Sequence, residues 1–283
     1  VLEAFPERPE FVTSTIEHPA VQETALFLEK KGVRVAYVPV DRTGLLDLAA
    51  LEDAVTDRTA LVSVMYANNE IGTLQPIPEI ARIAHAKGAL VHTDAVQAFG
   101  KIDLSAADLS VDLLSVASHK IYGPKGVGAL YMRRGTHIRP FLHGGHQERG
   151  FRPGTENTIG IVGFGEAARI LPERMAADGP RIAALAERLR AGVEGRIPKV
   201  RLNGHPEHRI KGTLNYSFLG LEAEAILLSL ATREIYVSTG SACSEESDEV
   251  SHVLLAIGLK PEIARSTVRM SLGRFNTDED IDT

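Results

Sequence analysis

From residue 11 to residue 134, short β-branched runs alternate with helical stretches of about ten residues, and this rhythm constrains the fold more than any other feature. FVTST (11–15) reads as a strand. Pro19 suits a first helical turn, AVQETALFLEKK follows it, and Gly32 stops it. RVAYVPV (34–40) is a second strand, LDLAALEDAV (46–55) a helix, and ALVSVMYA (60–67) a third strand. Pro78 opens the helix EIARIAHAKG. ALVHTDA (89–95), LLSVAS (113–118) and GVGALYMRR (126–134) are three further strands. Such alternation predicts βαβ units and an α/β fold on a largely parallel sheet. Ligands of these sheets bind beyond the carboxyl ends of the strands. Asn68-Asn69-Glu70, Asp94 to Gln97, and Ser118-His119-Lys120 each follow an apolar strand, so three polar clusters are expected to converge on one pocket.

After residue 157 the texture changes. An Ala/Leu/Arg-rich helical stretch runs to about residue 197, with a break between two helices expected at Pro180. Shorter units follow, among them VRLN (200–203), TLNYSFL (213–219), AEAILLSLA (223–231), IYVSTG (235–240), SHVLLAIGL (251–259) and STVRMSLG (266–273). These predict a large domain over residues 1–176 and a smaller α+β domain over 177–283. The last residues, FNTDEDIDT, carry a helix-start signal with no helix expected behind it, and both ends read as cut from a longer polypeptide.

Composition narrows the function. With 31 Lys+Arg against 37 Asp+Glu the formal net charge is -6, which lacks the broad positive field of a stand-alone nucleic-acid binder. No apolar run is long enough for a membrane helix, and VLEAFPERPEF lacks the features of a signal peptide. A single cysteine excludes an internal disulfide framework and points to a reducing compartment, the cytoplasm.

Several residues can carry chemistry. Lys120, at a strand end before a Gly/Pro-rich loop, reads as a Schiff-base lysine or as a solvated loop lysine. GPKGVG has neither dinucleotide-binding nor P-loop glycine spacing. Asp94 reads as a partner for a protonated ring nitrogen or as a helix cap. His18 reads as a stacking, proton-moving group or as a cap. His143 and His146 lack the further ligands of a metal site. Cys243, among small and hydroxylic neighbours in STGSACSEES, reads as a reactive thiol or an incidental one.

Seven blocks carry a resemblance: IEHPAV, ANNEIGTLQPI, HTDAVQAFGK, SHKIYGPKGVGALY, ERGFRPGTENT, STGSACS and VRMSLGRFNT. In this order, over about residues 11–277, the chain resembles the pyridoxal-phosphate-dependent cysteine desulfurases of the NifS/IscS type, within the fold-type I, aspartate aminotransferase-like enzymes. The resemblance implies pyridoxal 5'-phosphate (PLP) as cofactor and L-cysteine as substrate. It makes Lys120 the Schiff-base lysine, Asp94 the partner of the pyridinium nitrogen, and Gln97 the hydrogen bond to the cofactor's phenolic oxygen. His18 matches the stacked, proton-transferring histidine. Asn69 and Arg269 match the substrate-carboxylate contacts, with Asn69 also beside the cofactor. His119 matches a phosphate ligand, and Thr155 a phosphate contact reaching the neighbouring subunit of a homodimer. Cys243 matches the nucleophile that carries the persulfide to a protein sulfur acceptor in iron–sulfur cluster assembly, RNA thiolation or DNA phosphorothioation.

Three departures stand out from that pattern. The family's N-terminal block, with its Gly/Thr phosphate loop, is absent from these 283 residues. Ala117 stands where relatives commonly have a phosphate-binding serine; either Ser118, which follows it, substitutes or one contact is lost. Glu245, Glu246, Asp248 and Glu249 crowd Cys243 and would raise its pKa or engage a basic acceptor. The alternatives are a selenocysteine lyase, another fold-type I enzyme, or a cofactor-poor binding subunit.

Overall fold

A computed structural model of the chain describes residues 1–239 and 250–283. The first strands are β1 (Glu10–Ser14), β2 (Arg34–Val38), β3 (Thr59–Ser63), β4 (Leu90–Asp94), β5 (Leu113–Ala117) and β6 (Gly128–Met132). They form one sheet in the order β2-β1-β3-β4-β5-β6. Every pair is parallel except β5 with β6, which is antiparallel. β1 is an interior strand buried along its whole length, as expected of a strand covered on both faces.

Between these strands lie α1 (Pro19–Lys30), α2 (Leu48–Ala54) and α3 (Ile77–Ala86). Each start follows from local chemistry. His18 Nδ1 accepts from Ala20 N and Pro19 opens α1, while Asp47 accepts from Ala49 N and Ala50 N at α2. In α3, Ile77, Ile80, Ala81 and Ala84 recur at helical spacing and are wholly buried. They pack against Val12, Val62 and Val91 of the sheet to form the main core. The chain crosses from one side of β1 to the other between β2 and β3, which opens a crevice at the carboxyl ends of β1 and β3.

The long helix α4 (Thr158–Arg196) corrects the break expected at Pro180: one 39-residue helix runs through Pro172 and Pro180. Proline removes a backbone donor at each point, yet tertiary packing holds both halves. Ala167 and Leu171 pack on Ile121, while Ala186 and Val193 pack under a second sheet with Leu214, Tyr216 and Val268. That sheet contains β7 (Val200–Leu202), β8 (Thr213–Phe218), β9 (Ser238–Thr239) and β10 (Thr267–Ser271), antiparallel in the order β7-β8-β10-β9. Helices α5 (Ala223–Ala231), α6 (His252–Ala256) and α7 (Pro261–Ala264) accompany it.

The terminal signal is also answered, contrary to expectation, by a short helix α8 (Asp278–Asp282). Thr277 and Asp280 form a capping box, and Arg188 of α4 reaches Asp278 and Asp282 at 2.5 and 2.6 Å. Among the described residues no helix is long and apolar enough to cross a membrane.

Candidate active site

The residues singled out at strand ends meet at the carboxyl edge of the six-stranded sheet. Asp94 is the last residue of β4 and faces Ser115 of β5 in register. Its carboxylate accepts from Val96 N at 2.9 Å. Burial raises its pKa, opposed by that amide and by the nearby His18 imidazole. A cation against Asp94 would restore its charge.

His18 caps α1 and stands near Asp94. Its Nδ1 accepts from Ala20 N at 3.1 Å. The two roles left open by the sequence are therefore compatible.

Lys120 leaves β5 on a 3-10 turn, Ser118–Ile121, that ends in a left-handed Tyr122 at φ 67°. The lysine is exposed and lines a cavity of about 450 Å³ with Lys101, Tyr122 and Arg274. His119 is exposed, and its pKa is lowered by partial burial and then by Lys120 and Lys125. Ser118 is wholly buried, and its hydroxyl has no partner among the described residues. It stands against Gly123, where even a Cβ would come within 2.2 Å of its Oγ.

Asn69 follows β3 in a loop fixed by its neighbour. Asn68 donates to Ile16 O at 2.9 Å and accepts from Glu70 N and Ile71 N, tying the ends of β1 and β3 together. Asn69 O then accepts from Arg269 Nη1 at 3.0 Å. Arg269, on β10, also reaches Ser238 Oγ at 3.4 Å, and its enclosed Nε has no partner among the described residues. Thr15 Oγ1, one residue past β1, is likewise enclosed with no partner among the described residues. An unmatched guanidinium nitrogen, an unmatched hydroxyl, a half-buried carboxylate and an exposed lysine suit an anionic, ring-containing group with a carbonyl carbon, as PLP is.

Gln97 lies in the turn after Asp94, half-buried, with its Oε1 held by Lys101 Nζ at 2.7 Å. Thr155 is exposed, in a loop held by Arg152 to Gly154 O and Thr155 O, both at 3.1 Å. No hydrogen bond joins it to the other candidates among the described residues. Cys243 and the four carboxylates after it lie outside the described residues.

Sequence reasoning missed two buried carboxyls beside this edge. Glu17 Oε1 and Oε2 accept from Met65 N at 3.0 and 3.1 Å, and Ser14 Oγ donates to Oε1. Burial pushes its pKa up to about 8, with Asp94 adding to the rise. Glu70 accepts from Ser251 Oγ at 2.6 Å, and burial raises it to about 7, opposed by Ser251 and Arg269. His252 Nε2 donates to Glu17 O at 2.9 Å. Ser251 and His252 thus tie the start of α6 to the loops after β1 and β3. The signal was present in IEHP and NNEIG as carboxylates within apolar segments, but their burial depends on strand pairing.

A pH experiment tests Glu17. Its native pKa lies above its unfolded value, so its contribution to stability is complete below about 4.5 and is lost as pH rises through about 8. The slope is roughly 1.4 kcal/mol per pH unit inside that window. Glu17→Gln should reduce the fall in urea midpoint between pH 5 and 8, leaving the fall from Glu70, which ends near pH 7. Parallel profiles for the two proteins would contradict this.

Comparison with known proteins agrees with the geometry. The aminotransferase class-V family matches residues 1–283. Cysteine desulfurase IscS of Clostridium botulinum (strain Hall) is 50% identical over 273 residues, covering 96% of this chain and 69% of that protein. Among solved structures, a NifS-like protein superposes with a TM-score of 0.91 at 41% identity, covering 99% of this chain and 74% of that one. DndA from Streptomyces lividans gives 0.80 at 34% identity, covering 95% and 76%. With so much of its length matched in both sequence and fold, the chain belongs to the class-V aminotransferase family, among the cysteine desulfurases of the NifS/IscS type.

Proposed function

We infer that the chain is a PLP-dependent cysteine desulfurase. It takes sulfur from L-cysteine, releases L-alanine, and keeps the sulfur as a persulfide on Cys243 for a protein acceptor. The observation that carries this reading is the placement of Asp94 at the end of β4, Lys120 on the turn after the neighbouring β5, and Arg269 against Asn69 after β3, in a chain half identical to a desulfurase.

Lys120 would hold the cofactor covalently, Asp94 its protonated ring nitrogen, and Gln97 its phenolic oxygen. His119 and Thr155 would hold its phosphate. When bound, PLP supplies an electron sink that allows the α-proton of cysteine to leave. The chain's own residues do the rest. Arg269 and Asn69 orient the substrate carboxylate, a task suited to a guanidinium fork. His18 would lie against the cofactor ring and take part in proton transfer. Cys243 acts as a thiolate: its sulfur bonds to the substrate sulfur as the substrate's C–S bond breaks. In balance, L-cysteine plus the enzyme thiol gives L-alanine plus the enzyme persulfide.

The acceptor lies in iron–sulfur cluster assembly, RNA thiolation or DNA phosphorothioation. A reactive thiol suits a reducing compartment, which supports a cytoplasmic location. The Thr155 loop supports a homodimer in which each subunit contributes to its partner's phosphate site across an isologous interface. Sedimentation should show a dimer; a stable, fully active monomer would refute that arrangement. The function is tested by turnover with L-cysteine and L-selenocysteine side by side. Alanine formed from cysteine supports the desulfurase, while turnover of selenocysteine alone would make the protein a lyase.

A further inference from the structure

The turn after β4 places a second lysine beside the cofactor residues. Ala98 N and Phe99 N donate to Ala95 O, and Lys101 N and Ile102 N donate to Ala98 O. This winding brings Gln97 and Lys101, four residues apart, side by side, with Lys101 Nζ donating to Gln97 Oε1 at 2.7 Å. Gly100, at φ +82°, lets the turn press against the Lys120 turn: a Cβ there would come within 2.7 Å of Ile121 Cγ2. Lys101 and Lys120 therefore line the same cavity.

The chemistry of the pair fixes its direction. An ammonium has donors and no acceptor, whereas a carboxamide has one end of each kind. Only Oε1 of Gln97 can face Lys101, so the two N–H groups of Nε2 are turned away from it. We propose that Lys101 is a positioning residue, whose ammonium holds the Gln97 carboxamide so that Nε2 is offered as a donor to the phenolic oxygen of PLP. The proposal rests on the cofactor contact assigned to Gln97 above. Without Lys101 the amide is free to turn over and bring its oxygen against an anionic oxygen, which is repulsive.

The electrostatics agree. Burial of its ammonium, and then Lys120 and Arg269, lower the pKa of Lys101 to about 8. It remains mainly an ammonium at neutral pH. A cation placed near two others, with a neutral amide oxygen as its partner, costs stability that the orienting role explains.

The test is the pH at which the visible absorbance band of the PLP-loaded protein titrates. A hydrogen bond donated to the phenolic oxygen weakens that oxygen's hold on the titrating proton, so losing the bond raises the midpoint. Lys101→Met should raise it by about one unit, a tenfold change in the equilibrium. Lys101→Arg, which keeps the donor, should leave it nearly unchanged; a shift as large as that of Lys101→Met would overturn the proposal. Gln97→Leu should also raise the midpoint, and adding Lys101→Met to it should raise it no further. A full Lys101→Met shift in the Gln97→Leu background would mean that Lys101 acts through its charge alone, overturning the proposal and sparing the Gln97 contact. An unmoved midpoint in Gln97→Leu would remove that contact and the proposal with it.

Discussion

Lys120→Ala is expected to abolish both the yellow absorbance of the PLP-loaded protein and alanine release from L-cysteine. The lysine stands on the turn after β5, exposed to the shared cavity, and alanine has no amine with which to form a covalent bond. Arg in its place is no rescue, since a guanidinium cannot form an imine. The substitution should cost little stability, because the side chain is exposed. Folding and activity are therefore separable by comparing circular dichroism with alanine production. Turnover at the unsubstituted rate would remove Lys120 from the chemistry.

Cys243→Ser should separate the two halves of the reaction. Every residue assigned to the cofactor lies before residue 156, so the substituted protein should keep its colour and still bind cysteine. It should form no persulfide. A serine hydroxyl is similar in size but barely ionised near neutral pH, and it cannot carry a transferable sulfur. A free thiol titrates near about 8.5, so the unsubstituted enzyme also needs a base or the substrate to take the Cys243 proton. Undiminished desulfuration by Cys243→Ser would move the protein toward a lyase that needs no enzyme thiol.

Much of this was legible in the sequence because period and burial coincide in a parallel sheet. The six runs beginning near residues 11, 34, 60, 89, 113 and 126 are the six strands of the large sheet, and the polar clusters after three of them reach one edge. Local rules failed where tertiary contacts outweighed them. Pro180 alone signals a break, but α4 is held from both ends by separate clusters. At the C-terminus, the capping box and Arg188 support five residues that have no apolar stripe of their own.

The site was legible as residue types but not as electrostatics. Glu17 and Glu70 are ordinary carboxylates until β1, β3 and α6 enclose them. Lys101 gains its role only because Gly100 folds the turn onto Ile121. Ser118, expected as a phosphate contact on its place in SHK, is enclosed against Gly123 with no partner among the described residues, a fact that depends on a turn closing five residues later.

On this reading the chain moves sulfur from free cysteine onto its own thiol. Mass spectrometry of the PLP-loaded, unsubstituted protein after incubation with L-cysteine tests it most directly. The peptide containing Cys243 should carry one added sulfur, removable by a reductant, with alanine formed in equal amount. Alanine production with no sulfur on that peptide, or a sulfur-bearing peptide with no alanine, would contradict the account.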